Sequence, residues 1–184
     1  MRVTGGRLGS RRLRAPAGDG TRPTSDRVRE ALFSSLGARG VVTGARVLDA
    51  FAGTGALGIE ALSRGAIRAD FIERDAKALQ CVRANISDLG LTGVATVHPC
   101  AVEAFARRAS AEYTLLFADP PYALLREPAF VKTWQMLTSL LLPGGVAVLE
   151  HDRRDPSPSA ENAQLEACRE YGDTTIAIYV RLAP

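Results

Sequence analysis

Arg46-Val47-Leu48-Asp49-Ala50-Phe51-Ala52-Gly53-Thr54-Gly55-Ala56-Leu57-Gly58 reads as a short apolar strand, a glycine turn and the opening of a helix. Gly53, Gly55 and Gly58 keep the spacing G-x-G-x-x-G, which lets backbone come close to a ligand and a helix pack tightly on a strand. The same rhythm continues downstream. The helix runs to about Arg64, a strand covers residues 69–72, and Asp75 caps a helix with Ala76, Leu79, Val82, Ile86 and Leu89 on one face and Gly90 as its stop. Strands follow over residues 95–98, 114–118 and 146–150, with helices near 102–110 and 127–142 between them. Upstream, Thr24 or Ser25 caps a helix carrying Val28, Ala31, Leu32 and Leu36 at helical spacing and ending at Gly37 and Gly40. Strict alternation of this kind implies βαβ units, hence an α/β fold with a parallel sheet covered on both faces. The end of the chain differs. After a polar, proline-containing loop over residues 152–159, strands at 165–170 and 174–182 are joined at Gly172-Asp173. So short a connection makes them antiparallel, because a parallel crossover needs about a dozen residues.

The 184 residues, 46% of them hydrophobic and 23% charged, suit one soluble domain, with an N-terminal appendage over residues 1–22 and the main domain over 23–184. No apolar run approaches the roughly 18 residues of a spanning helix. The arginines and glycines after Met1 do not form a secretory signal, so the expected address is the cytoplasm, with no membrane partner and a monomeric chain. Cys81, Cys100 and Cys168 are expected to be reduced thiols acting as small buried hydrophobes.

The total charge of +3 is unevenly spread. Residues 1–22 hold Arg2, Arg7, Arg11, Arg12, Arg14 and Arg22 against Asp19 alone, a net of +5, which leaves −2 over the rest. Such a cluster is an electrostatic footprint for polyanions, and arginine adds planar phosphate binding and stacking on bases. These six arginines are the candidate nucleic-acid contacts. Val3-Thr4 and Arg12-Leu13-Arg14 flank a glycine-rich stretch and read as a hairpin with alternate arginines on one face.

Two loops carry chemistry. In the first, Glu73 lies 20 residues after Gly53 at the end of the next strand, where an acid can hold ribose hydroxyls. Both a dinucleotide and S-adenosyl-L-methionine contain adenosine, but the former brings a pyrophosphate to the turn and the latter an ammonium and a sulfonium. Asp49 repels one and attracts the other, so the acid favours S-adenosyl-L-methionine, with S-adenosyl-L-homocysteine as product. Phe51 within the loop, Gly53, Gly55, Arg74 beside Glu73, and Ala101, whose N–H can face adenine, complete the candidate cofactor set together with Asp119. The second loop, Asp119-Pro120-Pro121-Tyr122, sits at a strand's carboxyl end, where open α/β sheets bind ligands. An exocyclic amino group is a poor nucleophile because its lone pair is delocalised into the ring. The Asp119 carboxylate and the Pro120 carbonyl can accept both of its N–H bonds, the two prolines add no competing donor, and Tyr122 can stack on the base. Asp119, Pro120 and Tyr122 are the candidate catalytic residues. His98 has no evident partner and reads as structural, Leu140 to Gly145 as a structural re-entry into the sheet, and no residue cluster suits a metal.

Residues 49–58, Glu73, residues 119–122 and Leu142-Pro143-Gly144-Gly145 resemble, in order, the motifs of class I methyltransferases. Thr21-Arg22-Pro23-Thr24-Ser25-Asp26-Arg27-Val28-Arg29-Glu30-Ala31-Leu32-Phe33, preceded by the arginines of residues 2–14, resembles the N-terminal signature of the RsmD family. That resemblance covers almost the whole chain. It implies a Rossmann-like sheet of seven strands in the order 3-2-1-4-5-7-6, the last antiparallel. It implies S-adenosylmethionine-dependent methylation of the exocyclic N2 amino group of a guanine in 16S rRNA, position 966 by the same resemblance, free or within the small ribosomal subunit. It further implies that Asp49, Gly53, Gly55 and Glu73 surround the cofactor and that Asp119, Pro120 and Tyr122 hold the guanine amino group. Cys100 departs from the wider fold, where an acid or amide often faces adenine. A DNA adenine-N6 methyltransferase, whose loop can also read Asp-Pro-Pro-Tyr, and a noncatalytic RNA-binding assembly factor are the alternatives.

Overall fold

A computed structural model describes residues 1–16 and 25–183. Seven strands form one sheet: β1 (Arg46–Ala50), β2 (Arg68–Glu73), β3 (Ala95–Pro99), β4 (Tyr113–Ala118), β5 (Leu141–Asp152), β6 (Ala163–Tyr171) and β7 (Thr174–Arg181). Their order is β3-β2-β1-β4-β5-β7-β6, as the resemblance implies, with β7 antiparallel to both of its neighbours and the other pairs parallel. The helices are α1 (Asp26–Ala38), α2 (Ala56–Ser63), α3 (Ala76–Asp88), α4 (Val102–Ala106), α5 (Tyr122–Leu125) and α6 (Phe130–Ser139).

Alternation along the central strands sends side chains into two cores. Val47, Leu115, Phe117, Val146, Val148, Ile176 and Ile178 pack beneath Leu32, Phe33 and Leu36 of α1, Ile59 of α2 and Val82 and Ile86 of α3. Their neighbours Leu48, Ala50, Leu116, Ala118, Ala147 and Leu149 meet Val102 and Phe105 of α4 and Phe130, Trp134 and Leu137 of α6 on the opposite face. The period of two thus places a functional side chain on a definite face of the sheet.

The capping chemistry holds where the sequence is explicit. Ser25 accepts from the Val28 amide at 3.3 Å, and Asp75 accepts from the Lys77 and Ala78 amides at 3.0 and 2.9 Å. Two elements differ from expectation. The helix anticipated over 127–142 is the shorter α6, and α5 before it was not anticipated; the turn between them contains Pro128, whose ring and missing N–H oppose a continuous helix. β5 begins at Leu141, ahead of Pro143-Gly144-Gly145, and its pairing with β4 shifts register between Tyr113 and Leu115. The thiols are a correction too: Cys168 lies exposed on edge strand β6, and Cys81 and Cys100 are half-buried, so none is a core residue.

Residues 1–14 form an antiparallel bridge between Arg2 and Arg12, separated by a single turn of 3-10 helix over Gly6–Leu8. The segment shares the main core: Val3 is 1% and Leu13 7% exposed, in contact with the α1 cluster. Buried polar groups fasten it. Glu60 of α2, fully buried, accepts from the Thr4 amide and hydroxyl (2.7 and 2.8 Å), the Gly5 amide (2.8 Å) and Arg64 (2.7 Å). Asn85 of α3 pairs with both backbone groups of Arg14, accepting from its N–H at 2.7 Å and donating to its carbonyl at 3.1 Å. The proposed boundary at residue 22, Arg22 itself and Thr21 to Thr24 of the signature lie outside the described residues.

Candidate active site

The glycine loop lies between the carboxyl ends of β1 and β2, and packing explains its composition. Gly55 has φ 79°, and a Cβ there would stand 2.7 Å from Val82 Cγ2. At Gly58 a Cβ would come within 2.4 Å of the Phe71 ring and 3.1 Å of Asp49 Oδ2, so only glycine lets α2 descend onto the sheet. Phe51 also has a positive φ, 65°, a strained backbone state that non-glycine residues adopt mostly where a site requires it.

Two carboxylates organise the loop. Asp49, 2% exposed, accepts from the Gly58 amide at 2.8 Å. Burial pushes its pKa up to about 8; the Gly58 bond opposes the rise and the nearby Glu73 carboxylate adds to it. Glu73 accepts from the Gly53, Arg74 and Asp75 amides at 2.8, 2.7 and 2.8 Å, so it ties the turn to the end of β2. Arg74 is exposed beside it, and Ala101 caps the N-terminus of α4. His98 does have a partner: its Nε2 lies 2.8 Å from Asp70 Oδ1, while its ring packs on Phe105.

Asp119-Pro120-Pro121-Tyr122 continues β4 past its carboxyl end, with Pro121 capping α5. Val47 and Leu115 are register partners in the first core cluster, Asp49 lies on that face, and Asp119 directly follows the last residue of the adjacent strand β4, near enough for the charge of Asp49 to act on it. Asp119 keeps some exposure as a residue, yet its carboxyl is desolvated by the surrounding protein. That desolvation, with the charges of Glu150 and Asp49, raises its pKa well above the usual carboxylate range. Tyr122 sets its hydroxyl 3.4 Å from Thr174 Oγ1 and borders a cavity of about 290 Å³ with Asp152, Arg153, Arg154 and Asp173.

This is a donor set for a cation. Buried acids at the ends of β1 and β4 resist ionisation alone and are relieved when positive charge enters between them. The charge pattern therefore fits the ammonium and sulfonium of S-adenosyl-L-methionine and opposes a pyrophosphate.

The family model described as "Conserved hypothetical protein 95" matches residues 1–180. A "Putative rRNA methyltransferase YlbH" of Bacillus subtilis is 40% identical over 97% of this chain and 98% of its own length. The chain belongs to the RsmD family. "Ribosomal RNA small subunit methyltransferase D" of Escherichia coli is also 40% identical, over 66% of this chain and 60% of that protein. Among solved structures, "Putative methyltransferase yhhF from Escherichia coli" superposes with a TM-score of 0.86 at 34% identity, covering 100% of this chain and 99% of that one. The sheet is thus the Rossmann-like sheet of methyltransferases.

Several polar residues of the site region escaped the sequence reading. Asn85 also donates to the Thr54 carbonyl at 2.9 Å, joining Arg14 to the glycine loop, and Met1 Sδ lies 4.0 Å from the Thr54 hydroxyl. Arg29 of α1, wholly buried, donates to the Arg2 carbonyl and to Asp26, with its Nε 3.9 Å from Glu60. The available signal was a polar residue on an apolar helical face: Asn85 lies between Val82 and Ile86, and Arg29 precedes Leu32 and Phe33. Of the N-terminal arginines, Arg2 pairs with Asp26 and Arg14 with Asp88. Arg7, Arg11 and Arg12 are exposed and form no ion pair among the described residues.

Proposed function

We propose that this protein methylates the exocyclic N2 amino group of one guanine in 16S rRNA, using S-adenosyl-L-methionine. The observation that carries this reading is the placement of Asp119 beside Asp49, at the carboxyl ends of adjacent strands, with the charge of one acting on the other. The rRNA substrate is supported by the relatives' names, and the guanine by the family resemblance.

Asp49, Phe51, Gly53, Gly55, Glu73, Arg74, Ala101 and Asp119 would surround the cofactor. When bound, it supplies an electrophilic methyl group. Asp119 and the Pro120 carbonyl accept the two N–H bonds of the amino group, which localises the nitrogen lone pair and aims it. Positive charge between the acids restores Asp119 to an ionised acceptor, so binding readies the residue that holds the nucleophile. The amino proton leaves once the nitrogen has become cationic, taken by Asp119 or water. Tyr122 stacks on the base, which is turned out of its own stack to reach the pocket. Arg2, Arg7, Arg11, Arg12, Arg14 and Arg22, in a basic segment bounded near residue 22, contact RNA phosphates.

The test is transfer of labelled methyl groups to small ribosomal subunits from cells lacking the protein, followed by nucleoside mass spectrometry. N2-methylguanine in 16S rRNA is expected; N6-methyladenine as the product, or transfer only to DNA, refutes the assignment.

A further inference from the structure

Glu150 stands next to Asp119 and has no part in the chemistry above. Ala118 of β4 pairs with Leu149 of β5, so the residues that follow, Asp119 and Glu150, are neighbours across parallel strands about 4.8 Å apart. Continued one residue past the end of β4, side-chain alternation gives them the same face. Phe117 and its partner Val148 belong to the first core cluster, Ala118 and Leu149 to the second, and the next step returns Asp119 and Glu150 to the first. Glu150 is 5% exposed, and its pairing with Ile176 of β7 fixes the strand on its other side. Its charge acts on both Asp119 and the Tyr122 phenol, so it reaches the whole Asp-Pro-Pro-Tyr loop. Two acids set side by side at the mouth of a strand pair are an arrangement concentrated at functional sites.

The sheet order then assigns sides to the pocket. Asp119 lies between β1, which carries Asp49 and the cofactor loop, and β5, which carries Glu150. A base held by its amino group at Asp119 and lying over β5 brings a ring nitrogen beside that group within reach of Glu150. Guanine C2 is flanked by N1–H, a donor, and N3, an acceptor, so a carboxylate there selects the orientation that presents N1–H. In adenine the ring nitrogen beside the amino group is an acceptor, which a carboxylate repels.

Resting on the guanine-N2 reading above, we infer that Glu150 is the specificity residue of this site: its carboxylate accepts the guanine N1–H and rejects adenine. The pair Asp119 and Glu150 would thus read two neighbouring donors of one base edge, as a bidentate acceptor set.

The experiment compares wild type, E150Q and E150D on small subunits purified from cells lacking the protein, with the target guanine intact or replaced by adenine in the rRNA gene. Methyl incorporation, nucleoside mass spectrometry, calorimetric titration with S-adenosyl-L-methionine and thermal unfolding are read for each. Wild type is expected to methylate guanine only. In E150Q the amide oxygen can still accept N1–H but without the charge, so kcat/KM on guanine should fall about tenfold, the difference between a charged and a neutral acceptor. Its preference for guanine over adenine should shrink at least tenfold while cofactor affinity is retained, a change in selectivity that a merely structural role would not produce. A folded E150Q with guanine activity within threefold of wild type and unchanged selectivity overturns the inference. Should E150Q fail to fold, E150D decides: a withdrawn carboxylate should slow guanine methylation yet still exclude adenine, and full wild-type rate overturns the inference. A wild-type enzyme that forms no N2-methylguanine refutes the functional reading itself, in an arm where Glu150 is untouched, and takes this inference with it.

Discussion

Replacing Asp49 with Asn removes a charge while preserving a bond, since the Asn carbonyl oxygen can accept from the Gly58 amide as the carboxylate does at 2.8 Å. With its pKa raised to about 8 by burial, Asp49 is mostly neutral at neutral pH in the ligand-free protein. About 1% of such a group is ionised at pH 6 and about 24% at pH 7.5, by the ordinary titration curve. A cationic ligand that needs the ionised form should therefore bind roughly 20-fold more tightly at the upper pH, releasing close to one proton per ligand at the lower. The window stops at pH 7.5 because the ligand's own α-ammonium titrates near 8. Folding stability should move oppositely. A folded-state pKa above the unfolded value of 3.8 gives stability that is complete below about pH 4 and is lost as pH rises through about 8. The assay is calorimetric titration with S-adenosyl-L-methionine from pH 6 to 7.5, in two buffers of different ionisation enthalpy, for wild type and D49N. The variant should bind more weakly at pH 7.5, with a flattened pH profile, and its ligand-free melting temperature should depend less on pH. Equal pH slopes for the two proteins would refute the argument that Asp49 is the titrating group.

Asp119→Ala should abolish methyl transfer and weaken cofactor binding less than D49N does, measured by the same titration; unchanged turnover removes Asp119 from the mechanism. Asn85→Ala deletes the bonds to Arg14 and Thr54 at a site 1% exposed, so it should destabilise the fold by about 2–4 kcal/mol by denaturant unfolding, from missing hydrogen bonds and stranded backbone groups. Gly58→Ala forces a methyl group to 2.4 Å from the Phe71 ring and should lower both thermal stability and cofactor binding. Changing Arg7, Arg11 and Arg12 together to Ala should weaken RNA binding and flatten its salt dependence, by about 0.7 to 0.9 in log–log slope for each phosphate no longer neutralised. An unchanged slope would show that these residues do not grip RNA.

Much of this architecture was legible in the sequence because local signals agreed with global ones. Asp49 to Gly58 fixed a strand, a turn and a helix, Asp75 and Gly90 bracketed α3, and Gly172-Asp173 required an antiparallel end. Strand order was not derivable from those elements and came from the resemblance alone. What stayed hidden depends on burial and register. Glu150 reads as the last residue of an apolar strand, and only the pairing of Ala118 with Leu149 sets it beside Asp119. Glu60 and Asn85 sit among apolar neighbours on their helices, and only the folded N-terminal segment supplies the groups that take up their hydrogen bonds. Cys168 is exposed because edge strand β6 leaves most residues of both faces open to water, which the general burial tendency of free cysteine does not anticipate.

The central claim is met most directly by mapping methylated nucleotides in rRNA from cells with this protein, without it, and complemented with wild type or D119A. A single N2-methylguanine in 16S rRNA should disappear without the protein and return with wild type but not with D119A. An rRNA methylation pattern identical in all four strains, or the loss of a methyl group from adenine instead, would contradict it.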